Sequence, residues 1–206
     1  MGKNYHAHAK EFARSGFDSS AKAGGEIPAE PIIFTKVPEC VIATGEAIEM
    51  PKVSTAIDYE AELTVIIGKG GKGITKASAM QHVWGYTIVN EYSLPEDSYY
   101  RPAVKAKCRD GFCAIGPELV PTAQLSDPHS LAITLYVNGE VRQQSLLDQM
   151  IWNVPEILHE LSKLWALKAG DLVFMGTPAG VAALKPGDRF SARLENVAER
   201  HGIISE

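Results

Sequence analysis

Tyr59-Glu60-Ala61-Glu62-Leu63-Thr64-Val65-Ile66-Ile67-Gly68 is the stretch whose reading decides the fold. Its apolar, β-branched second half has the character of a buried strand closed by a glycine. Side chains alternate across a strand, so Glu60 and Glu62 share one face while Ala61, Leu63 and Val65 take the other. Two carboxylates side by side repel each other, and a strand that runs into Val65-Ile66-Ile67 leaves them little water. A divalent cation with oxygen ligands relieves both costs. The solvent face of an edge strand is the competing explanation for any E-x-E pair. The apolar run that follows favours the metal.

Outward from this strand, short β-type runs recur at residues 31–35, 40–43, 84–89 and 131–137, separated by turn signals. Asn138-Gly139 is a strong hairpin turn, with its partner strand starting near Glu140. Val154, Ile157, Leu158, Leu161, Leu164 and Trp165 recur at helical spacing and predict an amphipathic helix over 153–167. Gly170 stops that helix, and residues 171–175 form another buried strand. Residues 76–81 read as a short helix. The opening segment carries His6, His8, Lys10, Glu11 and Arg14, then dissolves into Ser19-Ser20, Gly24-Gly25 and Pro28. It is expected to be a short helix within a mobile lid over residues 1–28. The whole reads as a β-rich α+β fold in one domain, residues 1–206, without repeats or linkers.

A chain of 206 residues, 45% hydrophobic and 22% charged, is large enough for a substantial core. Its net charge of −5 and lack of a basic stripe argue against nucleic acid as a partner. No apolar stretch approaches the roughly 20 residues that span a bilayer, and the N-terminus lacks a signal-peptide core. Cys40, Cys108 and Cys113 are an odd count without metal-ligand spacing. Reduced thiols and a cytoplasmic location are therefore expected.

Several side chains have the right chemistry to join the glutamate pair. The strand ending near Val89 delivers Asn90 and Glu91. A third carboxylate at that strand end completes an octahedral Mg²⁺ (or Mn²⁺) site with positions left for substrate oxygens, unless Glu91 is simply solvated. His8 and Glu11 share a face if their segment is helical, and a carboxylate there makes the imidazole a base toward water. A surface pair is the alternative; His6 would face elsewhere. Tyr99-Tyr100-Arg101-Pro102 and Lys105-Ala106-Lys107-Cys108-Arg109-Asp110 concentrate cations in an acidic chain. They suit a dianionic substrate and an enolate, or else form a charged loop. Gly176-Thr177-Pro178-Ala179-Gly180 puts a rigid turn and a hydroxyl after a buried strand. Phosphate-loop, nucleophile-elbow and zincin patterns do not occur.

These segments together resemble the fumarylacetoacetate hydrolase (FAH) family in its C-terminal catalytic-domain form. The matching blocks are Asn4-Tyr5-x-x-His8-x-x-Glu11, Phe34-x-Lys36, Tyr59-Glu60-Ala61-Glu62-Leu63, Ile67-Gly68-Lys69 and Gly85-Tyr86-Thr87. Lys107, Gly116-Pro117, Val137-Asn138-Gly139-Glu140, Arg142-Gln143, Gly170-Asp171 and Gly176 to Val181 follow in family order. The resemblance implies rolled mixed β-sheets with few short helices, a homodimer and bound Mg²⁺ or Mn²⁺. By the same resemblance Glu60, Glu62 and Glu91 are metal ligands, His8 and Glu11 a water-activating dyad, and Lys107 the active-site lysine. Thr177 would take a substrate carboxylate, with Tyr5 and Gln143 among the substrate-binding residues. The implied substrate is a small dicarboxylic 2-keto or 2-hydroxy-dienoate acid whose two oxygens chelate the metal, with a metal-stabilised enolate on the path.

The stretch from Asn90 to Cys113 looks most like the homoprotocatechuate-pathway isomerase/decarboxylase subgroup, which serves aromatic-compound catabolism. There Arg101 or Arg109 would meet a remote carboxylate. An acylpyruvate hydrolase of the fumarylpyruvate type is the alternative, though its usual Trp before the lysine region is missing. A family member that kept the fold as a binding protein is the second alternative. Three departures from the family pattern stand out: Glu91 in place of the usual Asp, Leu94-Pro95-Glu96-Asp97 in place of an Arg-Asp, and a start almost at Asn4-Tyr5 that leaves the lid less firmly led in.

Overall fold

The computed structural model describes residues 1–14, 27–95, 104–125 and 127–205. Among them, two mixed β-sheets share one hydrophobic core. The strands are β1 (Val41–Ile42), β2 (Ile48–Glu49), β3 (Ile57–Ile67), β4 (Val83–Ser93), β5 (Cys113–Ile115) and β6 (Val120–Pro121). They continue as β7 (Ala132–Val137), β8 (Glu140–Leu146), β9 (Leu172–Phe174), β10 (Ala183–Leu184), β11 (Arg189–Leu194) and β12 (Ala198–Ser205). The helices are α1 (His6–Arg14), α2 (Val104–Lys107) and α3 (Val154–Leu164). One sheet runs β1-β5-β4-β3-β10, with β6 beside β4 and β9 beside β3; the other runs β2-β12-β11-β7-β8. β1–β5 and β2–β12 pair in parallel and the remaining pairs are antiparallel.

The long β3–β4 ribbon is the spine of the molecule. Its register sets Tyr59 against Tyr92, Leu63 against Ile88 and Val65 against Tyr86 on the core face. On the other face Asp58 meets Ser93, Glu60 meets Glu91 and Glu62 meets Val89. Tyr92 knits the two sheets by edge contacts with Phe112 and Phe190, ring centroids 6.3 and 5.9 Å away. Such pairs add to what burial of the rings already supplies. Because β3 lies between β4 and its other neighbours, the glutamates sit on an interior strand. That removes the edge-strand explanation.

Local signals fix the periphery. Asn138 and Gly139 adopt φ of 52° and 85°, the left-handed pair a tight hairpin needs between β7 and β8. Asn153 caps α3 reciprocally with Glu156: its side chain accepts from the Glu156 amide at 3.0 Å, and its own amide donates back at 3.1 Å. Val154, Ile157, Leu158 and Leu161 are buried on the core side of α3.

Four local expectations change. Helix α3 ends at Leu164, short of 167, because Leu167 exchanges backbone hydrogen bonds with Gly71 and an extended Trp165 must bring it there. Residues 31–35 supply only a single bridge, Gly2 to Ile32. The helix expected at 76–81 is a 3₁₀ turn, Ala79–His82. Strand β4 continues through Asn90 and Glu91 to Ser93, so Glu91 lies inside a strand rather than at its end. All three cysteines are free thiols. No helix among the described residues is long and apolar enough to cross a membrane.

Candidate active site

The acidic face of β3–β4 gathers three carboxylates whose ligand atoms lie within 4.8 Å of one another: Glu60, Glu62 and Glu91. Period-two alternation brings Glu60 and Glu62 together, and strand register puts Glu91 directly across. Glu62 and Glu91 are fully buried. Lys107, at the end of α2, spans the pair above them, 2.6 Å from Glu60 Oε1 and 3.3 Å from Glu91 Oε2. Lys36 reaches the other oxygen, Glu91 Oε1, at 3.1 Å and donates to the Phe112 carbonyl at 2.8 Å. The Gly176 amide donates to Glu62 Oε2.

Glycine is required at that last position. Gly176 has φ of 93°, and a Cβ there would come within 2.7 Å of the Asn4 Cβ. Asn4 is what crowds it: the buried amide donates to Met175 O at 2.6 Å and Trp152 O at 2.9 Å, tying the start of the chain to the end of β9.

The charges are unevenly settled. Burial pushes the Glu60 carboxyl up, but the charge and hydrogen bond of Lys107 outweigh it and hold Glu60 below the usual carboxylate range. Lys107 loses stability as a cation through burial, yet Glu60 and Glu91 more than compensate and raise its pKa. Glu62 has no lysine against it among the described residues: burial pushes it up to about 8, opposed by the Met1 ammonium and reinforced by the charges of Glu91 and Glu60. Its Oε1 has no hydrogen-bond partner among the described residues. A buried carboxylate oxygen without a donor, facing two more carboxylates, is the position a divalent ion fills. The all-oxygen donor set suits Mg²⁺ or Mn²⁺, so the residues present fit the expected metal.

Above this floor opens a cleft of about 350 Å³ lined by His8, Glu11, Glu60, Lys107 and Thr177, together with Lys3, Asp58 and Ser93. His8 Nδ1 lies 3.3 Å from Glu11 Oε2, and both oxygens of Glu11 accept from the Gly180 amide at 3.2 and 3.1 Å. The hydrogen bond with His8, helped by Gly180, lowers the Glu11 pKa although burial opposes it. Helix α1 is thus clipped to the turn after Pro178, while His6 points to solvent.

Thr177 is buried in the cleft wall, its Oγ1 accepting from Gln143 Nε2 at 2.8 Å, which leaves its own hydrogen to donate. Gln143 is fully engaged. It also donates to Pro178 O at 2.8 Å and accepts from the Ala61 amide at 3.1 Å, so it braces Thr177 rather than lining the cleft. Tyr5 is buried, and its hydroxyl has no hydrogen-bond partner among the described residues. Burial, with the charge of Glu62 next, raises its pKa. Arg109 donates to the Lys105 carbonyl at 2.9 Å and is absent from the cleft lining. Arg101 lies outside the described residues. Lys36 and Gly176 stand within family blocks of the sequence without a contact to the glutamates being implied for either, and Asp58 stands within none. Extending the alternation of Glu60 and Glu62 by one step back reaches Asp58; nothing local announces the other two.

Residues 1–203 match the family described as Fumarylacetoacetate (FAA) hydrolase C-terminal. The 4-hydroxyphenylacetate degradation bifunctional isomerase/decarboxylase of Salmonella dublin is 35% identical over 199 residues, covering 96% of this chain and 44% of that protein. Oxaloacetate tautomerase YisK of Bacillus subtilis (strain 168) is 35% identical over 206 residues, covering 96% and 65%. The crystal structure of fumarylpyruvate hydrolase from Pseudomonas aeruginosa in complex with Mn²⁺ and pyruvate superposes with a TM-score of 0.87 at 35% identity, over 99% of this chain and 87% of that one. The chain spans about half the length of the isomerase/decarboxylases it matches. With family motifs, sheet architecture and an acidic cluster on a common spine, the chain belongs to the fumarylacetoacetate hydrolase family.

Proposed function

We propose that the protein is a divalent-metal-dependent enzyme that decarboxylates or isomerises a dicarboxylic 2-keto or 2-hydroxy-dienoate acid from aromatic-compound breakdown. The observation that carries this reading is the triad Glu60, Glu62 and Glu91 beneath a cleft that also holds Lys107 and the His8–Glu11 pair. Glu60, Glu62 and Glu91 would hold Mg²⁺ or Mn²⁺, which supplies a Lewis acid for two adjacent substrate oxygens. Lys107 stays charged and would stabilise the enolate oxygen that forms when a neighbouring bond breaks. Thr177 would donate its free hydroxyl hydrogen to the substrate carboxylate. Glu11 would fix the Nδ1–H tautomer of His8, leaving Nε2 to take and return a proton. Helix α1, in the lid segment, would bring that dyad over the substrate and exclude water. Arg101 or Arg109 remains the proposed contact for the remote carboxylate.

Hydrolysis of an acylpyruvate is the second reading. It is favoured by the His8–Glu11 pair, which suits a water nucleophile, and by the similarity to the Pseudomonas aeruginosa fumarylpyruvate hydrolase. Turnover of the heptadiene-dioate, oxaloacetate and fumarylpyruvate with saturating Mg²⁺ or Mn²⁺ separates the two. Loss of CO₂ or a shifted double bond supports the first, and pyruvate release from fumarylpyruvate the second. Metal uptake without turnover of any keto acid would leave a binding protein. His8→Ala is expected to cut hydrolysis by about 100-fold or more while metal binding persists. A cytoplasmic homodimer belongs to the same proposal, and light scattering checks the dimer.

A further inference from the structure

Glu91 is ion-paired from two directions by different lysines. Its Oε2 shares Lys107 with Glu60 Oε1, which marks Oε2 as the oxygen on the side of the triad. Its Oε1 has no hydrogen-bond partner among the described residues and is instead ion-paired with Lys36 Nζ at 3.1 Å. Only 7% of the Lys36 side chain is exposed, and its ammonium donates to the Phe112 carbonyl at 2.8 Å. It is absent from the lining of the substrate cleft and lines instead a separate cavity of about 410 Å³, among Val37, Val41 and Phe174. A cation placed this way reaches the third carboxylate without reaching substrate.

Glutamate has one methylene and one torsion more than aspartate, so a free Glu91 carboxylate can swing both oxygens toward an ion. Bidentate coordination of that kind suits Ca²⁺, which accepts six to eight oxygens at long distances, whereas Mg²⁺ requires a tight octahedron of single oxygens. We infer that Lys36 is a positioning residue that holds back one oxygen of Glu91, keeping it monodentate and biasing the site toward Mg²⁺-sized ions over Ca²⁺. The inference rests on the reading of Glu60, Glu62 and Glu91 as metal ligands.

Displacement of bound Mn²⁺, followed by its electron paramagnetic resonance signal, gives the affinities for Mg²⁺ and for Ca²⁺ in one protein. Their ratio is the readout, because removing a cation strengthens binding of every divalent ion and cancels in the ratio. Lys36→Met is expected to raise the Ca²⁺/Mg²⁺ affinity ratio about tenfold or more, and Lys36→Arg to keep the wild-type ratio. Lys36→Gln, which can still bond the Phe112 carbonyl, serves if the methionine variant does not fold, and should shift the ratio in the same direction. A ratio unchanged within about twofold in these variants overturns the inference, as does loss of all ion binding in a folded one. Failure of the wild type to take up Mn²⁺ would instead remove the ligand assignment itself, and the inference with it.

Discussion

On one face of the β3–β4 ribbon Tyr59, Leu63, Val65, Tyr86 and Ile88 pack into the shared core; on the other, Asp58, Glu60, Glu62 and Glu91 face the cleft and its floor. Backbone, register and hydrogen bonding are common to both, and only the side-chain alternation differs. The core face gains stability from every apolar contact it makes. The acidic face spends some of that stability to keep Glu62 buried with one oxygen lacking a hydrogen-bond partner among the described residues, while Lys107 and Lys36 stand against its neighbours. A ribbon with no core face would not tolerate such a cluster, and without the cluster the ribbon would be scaffold alone.

The contrast is sharpest at adjacent positions. Glu62→Gln is expected to lower metal affinity by more than about 100-fold, beyond what loss of a supporting residue costs, and turnover by about 1000-fold. The same variant should leave the metal-free protein as stable as the wild type or more so, because it removes a buried orphan carboxylate. Calorimetric metal titration and thermal melting read the two effects separately, and undiminished metal binding would break the comparison. Leu63→Ala, one residue along and on the opposite face, is expected to cost about 2–5 kcal/mol of stability and to leave metal affinity in the surviving folded protein unchanged.

A pH series probes the same position more gently. Glu62 keeps its proton in the metal-free fold up to about 8, whereas the unfolded chain releases it near the ordinary value of 4.5. The native state therefore binds more protons across that window, and stability must fall as pH rises through it. Measured as wild type minus Glu62→Gln, the slope should approach about 1.4 kcal/mol per pH unit and flatten above the upper limit. Saturating Mg²⁺ should abolish it, since a ligand must already be deprotonated. A difference that rises with pH would reverse the assigned burial effect. The smallest change lies off the ribbon: Asn153→Ala removes the cap of α3, costs about 1 kcal/mol and leaves the metal titration as it was.

Much of this was legible because it is local. The alternation in Tyr59 to Val65, the turn at Asn138-Gly139 and the apolar spacing that starts a helix after Asn153 each act within a few residues, where periodicity and side-chain chemistry are sufficient. The dyad of His8 and Glu11 belongs to the same class, one helical turn apart on α1. The errors are tertiary. Helix α3 stops early because a bridge from Leu167 to Gly71 outbids its last turn. Tertiary contact also supplies what no local pattern shows for Gln143, whose amide is held at both ends by Ala61, Thr177 and Pro178.

The sequence by itself determined that two carboxylates share one face of an apolar strand, and that a histidine and a glutamate share one face of the opening helix. Strand alternation and helical pitch permit nothing else. Only the tertiary structure decided what surrounds those carboxylates: Glu91 across from Glu60, Lys107 and Lys36 on its two oxygens, and the Gly176 amide on Glu62. These contacts join residues far apart in the chain. Strand register and the crossing of loops bring them together, and neither is encoded in any local period.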